Sequence, residues 1–184
     1  IDRRKARYVA QGFSQIKGLD FTETWASVGK TDSLRTLLAL AALEGWNISK
    51  FDVSSAFLEG DIDQPGLYVH QPKGFEVIGR EDDGWELKKD LYGIKQGPRC
   101  WKKKINEFLF GFGFTCSDAD DCLYTSKSGS DFIHLFIHVD DGLLFTNSPT
   151  TLSSFQSALE STFDIKYDSA PTEFLGFALD IQPG

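Results

Sequence analysis

Two adjacent aspartates, Asp140 and Asp141, sit between the apolar runs Phe136-Ile137-His138-Val139 and Gly142-Leu143-Leu144-Phe145. Such runs read as strands, so the acids are predicted at the tip of a hairpin at a sheet edge, with Gly142 easing a tight turn. Two like charges so placed repel, and a hard divalent ion with a preference for oxygen relieves the repulsion. A plain Asp-Asp-Gly turn is the competing reading, because these residue types favour turns. A third acid, Asp52, interrupts the segment Lys50-Phe51-Asp52-Val53. An acid inside an apolar strand lies at its wet end or has a partner. If that strand lies beside the hairpin, three carboxylates converge. Such a set can hold two metals roughly 3.5–4 Å apart for in-line phosphoryl transfer, as nucleases, phosphatases, cyclases and polymerases do.

The elements that must position these acids are legible as periodicities. Thr31-Asp32-Ser33 reads as a helix start, followed by Leu34, Leu37, Leu38, Ala41 and Ala42 at helical spacing, with Gly45 placed to end it. Residues 47–53 read as a strand, 54–59 as a helical turn closed by Gly60, and 67–70 and 85–88 as short strands. Pro98 can open a helix whose apolar face is Trp101, Ile105, Phe108, Leu109 and Phe112. Residues 122–125, 132–139 and 142–146 read as a meander. Pro149 opens another helix bearing Leu152, Phe155, Leu159 and Phe163, and residues 174–181 read as a final strand. The order strand, helix, strand, strand, helix, strand predicts an α+β fold, an antiparallel ferredoxin-like (split βαβ) sheet with helices on one face.

Composition narrows the partners. The 184 residues carry a formal charge of −8, with 41% hydrophobic and 25% charged residues, ordinary values for a globular chain. The charge is uneven: residues 86–106 hold seven basic side chains against two acids, while residues 107–184 hold two bases against twelve acids. A local basic strip can face a phosphate backbone in an otherwise acidic protein, although a solvated helix face is the bland alternative. No apolar run approaches the roughly 20 residues of a membrane span, so no membrane partner is expected. Cys100, Cys116 and Cys122 lack a paired spacing and read as reduced, which favours an intracellular setting. The chain starts without Met and has the look of a piece of a longer polypeptide.

At the level of motifs the chain resembles the reverse transcriptases of copia-type long-terminal-repeat retrotransposons. The matching blocks run in the family's order across nearly the whole chain: Lys5-Ala6-Arg7-Tyr8-Val9-Ala10-Gln11-Gly12-Phe13, Ser33-Leu34-Arg35-Thr36-Leu37-Leu38-Ala39, Asp52-Val53-Ser54-Ser55-Ala56-Phe57-Leu58-Glu59-Gly60, Gln71-Pro72-Lys73-Gly74-Phe75, Leu91-Tyr92-Gly93-Ile94-Lys95-Gln96-Gly97-Pro98-Arg99-Cys100-Trp101, Val139-Asp140-Asp141-Gly142 and Phe174-Leu175-Gly176. The resemblance implies a polymerase palm (about 47–60 and 101–184) with partial fingers (about 1–46 and 61–100) and no thumb.

It also implies roles. Asp52, Asp140 and Asp141 would be the catalytic acids, and with the Val53 carbonyl they would hold two Mg2+ or Mn2+ ions. One ion would activate a primer 3′-hydroxyl; the other would hold the triphosphate and leaving pyrophosphate. Lys5, Arg7, Phe57, Tyr92, Gly93 and Gln96 would meet the deoxynucleoside triphosphate, with Phe57 disfavouring a 2′-hydroxyl. Lys95, Arg99 and Lys102 would meet the template, and Phe174, Leu175 and Gly176 would lead to the primer. Expected partners are an RNA or DNA template with primer and the rest of a retrotransposon polyprotein, including integrase and ribonuclease H. The expected location is a cytoplasmic virus-like particle or the nucleus. The family more often has Ala at the position of Gly97, and an aromatic residue or Leu at that of His138. Two other readings stay open: an inactive relic serving as a binding module, and a different two-metal phosphoryl-transfer enzyme. The block from Tyr92 to Arg99 argues against the second.

Overall fold

The computed structural model describes residues 6–181, so Lys5 lies outside the described residues. In chain order the elements are α1 (Thr31–Glu44), β1 (Asn47–Val53), β2 (Tyr68–His70), β3 (Gly84–Glu86), α2 (Gly97–Phe112), β4 (Thr115–Cys116), β5 (Leu123–Ser128), β6 (Asp131–His138), β7 (Asp141–Thr146), α3 (Pro149–Thr162), β8 (Ile165–Asp168), β9 (Glu173–Phe174) and β10 (Phe177–Ala178), with 3-10 turns at Gly12–Ser14 and Ala56–Glu59. The chain divides into two compact units, Ile1–Ala26 with Ala56–Ile105, and Ser27–Ser55 with Asn106–Gly184. No helix among the described residues is long and apolar enough to cross a membrane.

The second unit is built on one six-stranded sheet of order β4-β5-β6-β7-β1-β8. Every pairing in it is antiparallel. Among the described residues the fold is α+β, with a mostly antiparallel sheet and three α-helices. Side chains alternate between the faces of a strand, and both faces here are apolar. Phe136, Leu143 and Phe145 point to the face that α1 covers with Leu34, Leu37 and Ala41, joined by Phe174 from the β9–β10 hairpin. The other face carries Phe51, Ile133, Leu135 and Leu144, all buried. Phe155 of α3 is packed by the rings of Phe108, Phe112 and Phe114 at centroid distances of 5.1–6.1 Å. Five of the chain's sixteen Phe residues thus go to a single patch once Phe163, 5.4 Å from Phe108, is included.

Helix ends follow local chemistry where it exists. Gly45 takes φ +67° after α1, the left-handed conformation a helix stop requires. Ser148 caps α3, its Oγ accepting the Thr151 N–H, and Pro149 fills the first turn. The start of α1 is different. Lys30, its cap residue, offers no side-chain cap, and the carboxylate of Asp120 accepts the Lys30 N–H at 2.9 Å. Its other oxygen accepts the Cys122 N–H, also at 2.9 Å. Burial alone would raise the Asp120 pKa, but hydrogen bonds from Ser33, Cys122 and Lys30 outweigh it and hold the carboxyl below its usual range. A depressed native pKa contributes stability above the unfolded value near 4 and loses it as pH falls. Asp120→Asn is therefore expected to cost about 1–3 kcal/mol in urea unfolding at pH 7, with the gap from wild type closing below about pH 4. An equal gap at both pH values would show that charge has no part in the cap.

Two expectations at the end of the chain are corrected. Residues 174–181 do not form one strand. Leu175 (φ +48°) and Gly176 (φ +79°) turn the chain back, so β9 and β10 pair as a two-residue hairpin of their own. The strand that closes the main sheet is β8, which pairs with β1 from Lys50↔Asp168 to Val53↔Ile165.

In the first unit, β2 and β3 form a hairpin. The loop between them is stapled from within by Gln71, whose Nε2 donates to the Asp83 carbonyl at 3.0 Å and whose Oε1 accepts the Val77 N–H at 2.7 Å.

Candidate active site

The two strands expected to meet do meet. β1 and β7 are direct neighbours inside the sheet, and Asp52 pairs with Asp141 across them. Antiparallel partners stand roughly 4.5–5.5 Å apart at Cα. The next strand on one side places His138 opposite Asp141, and the next on the other places Lys166 opposite Asp52. His138, Asp141, Asp52 and Lys166 therefore form one row across β6, β7, β1 and β8, on one face and at one end of the sheet.

Asp140 lies in the connection that makes this row possible. The hairpin between β6 and β7 has two residues, Val139 and Asp140. Val139 takes φ +59°, a conformation that costs a β-branched residue strain and that hairpins normally give to Gly. Gly142, expected to form the turn, lies instead inside β7. Its partner is Phe51, and a Cβ at residue 142 would stand 2.3 Å from the Phe51 ring. The glycine is there for the ring. The turn is anchored to β1 by the Val53 N–H, which donates to the Asp140 carbonyl at 2.9 Å.

The electrostatics are those of crowded acids. Burial, then the charges of Asp140 and Asp52, raise the Asp141 pKa above the usual carboxylate range, against smaller opposing effects of Lys50 and His138. Lys166 Nζ stands 3.7 Å from Asp52 Oδ2 and is 74% exposed, a pair worth roughly 0–1 kcal/mol. His138 Nδ1 is buried with no hydrogen-bond partner. Among the described residues no three His, Cys, Asp or Glu side chains are gathered closely enough to share a metal ion as they stand. The donor set nevertheless fits a hard cation: three oxygen acids, one of them carrying repulsion from the other two. The Asp52–Lys166 pair is exposed, so giving it up to a cation costs little.

The described residues among those expected to meet a nucleotide belong to the first unit. Arg7 lies over the Tyr92 ring at 5.5 Å, and Phe57 meets that ring edge to face at a centroid distance of 5.3 Å. Gly93, at φ +93°, lets the chain pass against Ala10, whose carbonyl oxygen would be 2.2 Å from a Cβ there. Gln96 is fully buried. Its Nε2 donates to the Asp20 carbonyl and its Oε1 accepts from Gln15 Nε2, both at 3.0 Å, so its amide is spent inside the unit. Lys95 donates to the Gln15 carbonyl at 3.1 Å and lies 4.9 Å from the centre of the Phe21 ring.

The basic strip is matched by local acids. Arg99 pairs with Asp63, Lys104 with Asp61 at 2.9 Å, Lys89 with Glu59 at 3.4 Å and Lys88 with Glu86. Lys102 is half-buried on α2. Phe174 is buried, while Leu175 and Gly176 are exposed at the hairpin turn. Sequence reasoning missed Lys166 and the buried role of Gln96. Neither carries a local signal, because both depend on the register of distant segments.

A family profile described as reverse transcriptase (RNA-dependent DNA polymerase) matches residues 2–183. The chain is 37% identical over 178 residues to the retrovirus-related Pol polyprotein from transposon TNT 1-94 of Nicotiana tabacum, covering 96% of this chain and 13% of that protein. It is 36% identical over 176 residues to the corresponding polyprotein from transposon RE1 of Arabidopsis thaliana, covering 96% and 12%. The putative transposon Ty5-1 protein of Saccharomyces cerevisiae is 34% identical over 125 residues, 68% of this chain and 40% of that protein. The chain thus spans about one eighth of the plant polyproteins it matches. No solved structure matches it.

Proposed function

This chain belongs to the reverse transcriptases of copia-type retrotransposons, and from that premise we propose that it is the palm and part of the fingers of an RNA-directed DNA polymerase, carrying out template-directed deoxynucleotidyl transfer with release of pyrophosphate. The observation that carries the reading is the direct pairing of Asp52 with Asp141 across two inner strands, with Asp140 in the turn between β6 and β7. A cyclase or nuclease would use such acids too, but the family favours a polymerase.

Asp52 and Asp140, with Asp141 beside them and the Val53 carbonyl, are the groups that would hold divalent cations. Bound there, Mg2+ would lower the pKa of a primer hydroxyl and neutralise the triphosphate. The chain itself supplies positioning. The rigid β1–β7 register fixes the spacing of Asp52 and Asp141, and the Val53–Asp140 hydrogen bond fixes the turn. No protein nucleophile is needed. In the first unit, Arg7 offers charge to the triphosphate and the Tyr92 ring offers a face. Lys95, Arg99 and Lys102 would meet template phosphates, Arg99 at the expense of its pair with Asp63. The template, the primer, the deoxynucleoside triphosphates and the remainder of a Pol polyprotein are the partners this reading requires.

A second reading is favoured by one observation: the acids are not gathered and Asp52 is paired with Lys166, as in an idle module kept for binding. Primer extension with Mg2+ separates the two. The 184-residue chain, and a longer version carrying the polyprotein residues that follow it, are given a primed RNA template. Extension by either, dependent on Mg2+ and on the templated nucleotide, supports the polymerase. Template binding without extension by both would leave the idle module.

A further inference from the structure

The segment 91–96 begins and ends at one side chain. Asp90 is 2% exposed. Its Oδ1 accepts the Leu91 N–H at 3.0 Å, at the start of the segment. Its Oδ2 has no hydrogen-bond partner. The carboxyl lies against Gly97, the first residue of α2, where a Cβ would come within 3.1 Å of Oδ2 and 3.4 Å of Oδ1. The backbone of Asp90 is itself pinned, its N–H donating to the Gly60 carbonyl at 2.9 Å. Gly60 in turn leaves no room for a side chain against Cys100 and Trp101. Six residues of irregular chain therefore leave and return to a fixed carboxyl.

We propose that Asp90 is a positioning residue, a clasp that joins the two ends of the segment 91–96 and holds Tyr92 and Lys95 where the nucleotide and template meet them. The assignment rests on the polymerase reading for its functional part, and on geometry alone for the clasp. It bears on Gly97: a Cβ there would press on the carboxyl at 3.1 Å, so a glycine lets α2 start against it without displacing it.

The clasp is sensitive to charge. The groups facing Asp90 are the Asp63 carboxylate, which is paired with Arg99, and the Cys100 thiol on α2. Lys89, the preceding residue, is engaged with Glu59. Among the described residues no cation pairs with the carboxyl, and none is among the influences on its titration. Burial, with a further push from Asp63, carries its pKa up to about 7 against the Leu91 hydrogen bond. Below that pH the carboxyl is neutral and its burial costs little. Once opened, the carboxyl ionises at about pH 4, so between about pH 4 and 7 the clasp loosens by up to about tenfold per pH unit, and above about pH 7, where the closed carboxyl is itself an unpartnered anion facing another carboxylate, the loosening levels off.

Hydrogen exchange of the full 184-residue chain tests this without relying on activity. After correction for intrinsic rates, the amides of residues 91–97 in wild type should be about tenfold less protected at pH 8 than at pH 6. Asp90→Asn, which keeps the shape and the acceptor, should show the same protection at both pH values, no lower than that of wild type at pH 6. Asp90→Ala should open the same amides at both pH values while the second unit keeps its protection. Gly97→Ala should open them in the Asp90 background and have no added effect with Asp90→Ala. In primer extension, Asp90→Ala should raise the KM for the deoxynucleotide several-fold more than it lowers kcat, and Asp90→Asn should restore it. Unchanged exchange over 91–97 in Asp90→Ala would overturn the clasp. A normal KM with opened amides would overturn the positioning role. If no version of the chain extends a primer, the polymerase reading fails, while the exchange experiment still decides the clasp.

Discussion

Asp140→Asn is expected to abolish nucleotide addition, by about three orders of magnitude or more, while the protein stays folded. The loss is large because a neutral amide cannot supply the charge a divalent ion needs, and because sites acting as a unit fail together. The fold should be unharmed for a reason already visible in the apo protein. Asp140 sits in a two-residue turn held to β1 through its backbone carbonyl, and its side chain adds to the repulsion that raises the Asp141 pKa. Removing that charge should leave stability level or raise it by about 1 kcal/mol. Mg2+ at millimolar concentration should raise the melting temperature of the wild type and raise that of Asp140→Asn less, since only the folded site gathers the ligands. Calorimetry with and without Mg2+ reads both. An early-melting mutant and no response to Mg2+ in either form would remove the metal site from this chain and leave only its ancestry.

Gly142→Ala is expected to destabilise the second unit by about 1–3 kcal/mol, through overpacking. The added methyl would enter the space of the Phe51 ring, 2.3–2.9 Å from three of its carbons. Phe51 is 1% exposed and has nowhere to go. An aromatic ring lying across a glycine of the neighbouring strand covers backbone that would otherwise be bare, so the pair is matched in both directions. Phe51→Leu alone should cost about 1–2 kcal/mol in lost packing. The double variant should cost less than the sum by about 0.5–3 kcal/mol, the range for residues in direct contact. Chemical denaturation of the four proteins measures the coupling, and strictly additive costs would refute the packing account. The next pair along the ladder is Asp52 and Asp141, so a shift at Phe51 also moves the acids.

The sequence carries the parts of this fold whose causes are local. α1 ends at Gly45 because only a left-handed residue ends it there, and α3 begins at Ser148-Pro149 because a cap and a ring fit there. The meander around Asp140-Asp141 follows from alternation and short polar turns. What escaped depends on long-range register. Ile165-Lys166-Tyr167-Asp168 is too short a run to read as a strand, and it becomes one only against β1. Phe174-Leu175-Gly176 reads as strand by composition, yet two successive positive φ angles make it a turn. Gly142 looked like a turn residue, because in sequence its neighbour is Asp141 and not Phe51. The meeting of Asp52 with Asp141 was legible because aspartates in apolar runs are costly wherever they fall. That Gln96 is buried, or that Asp120 caps a helix from 90 residues away, required the folded chain.

The order β6-β7-β1-β8 has a consequence on the ribosome. β1 is an inner strand, but both of its partners are made later, the nearer one beginning 88 residues after Val53. At the usual pace of synthesis the interval is roughly 4–18 s. Throughout it, β1 is an apolar segment with two bare edges, the form in which chains most readily pair with the wrong neighbour. Lys50 and Asp52 interrupt that segment with opposite charges, the device that keeps exposed strands from aggregating. The same aspartate that would later hold a metal thus helps the nascent strand remain soluble until its partners emerge.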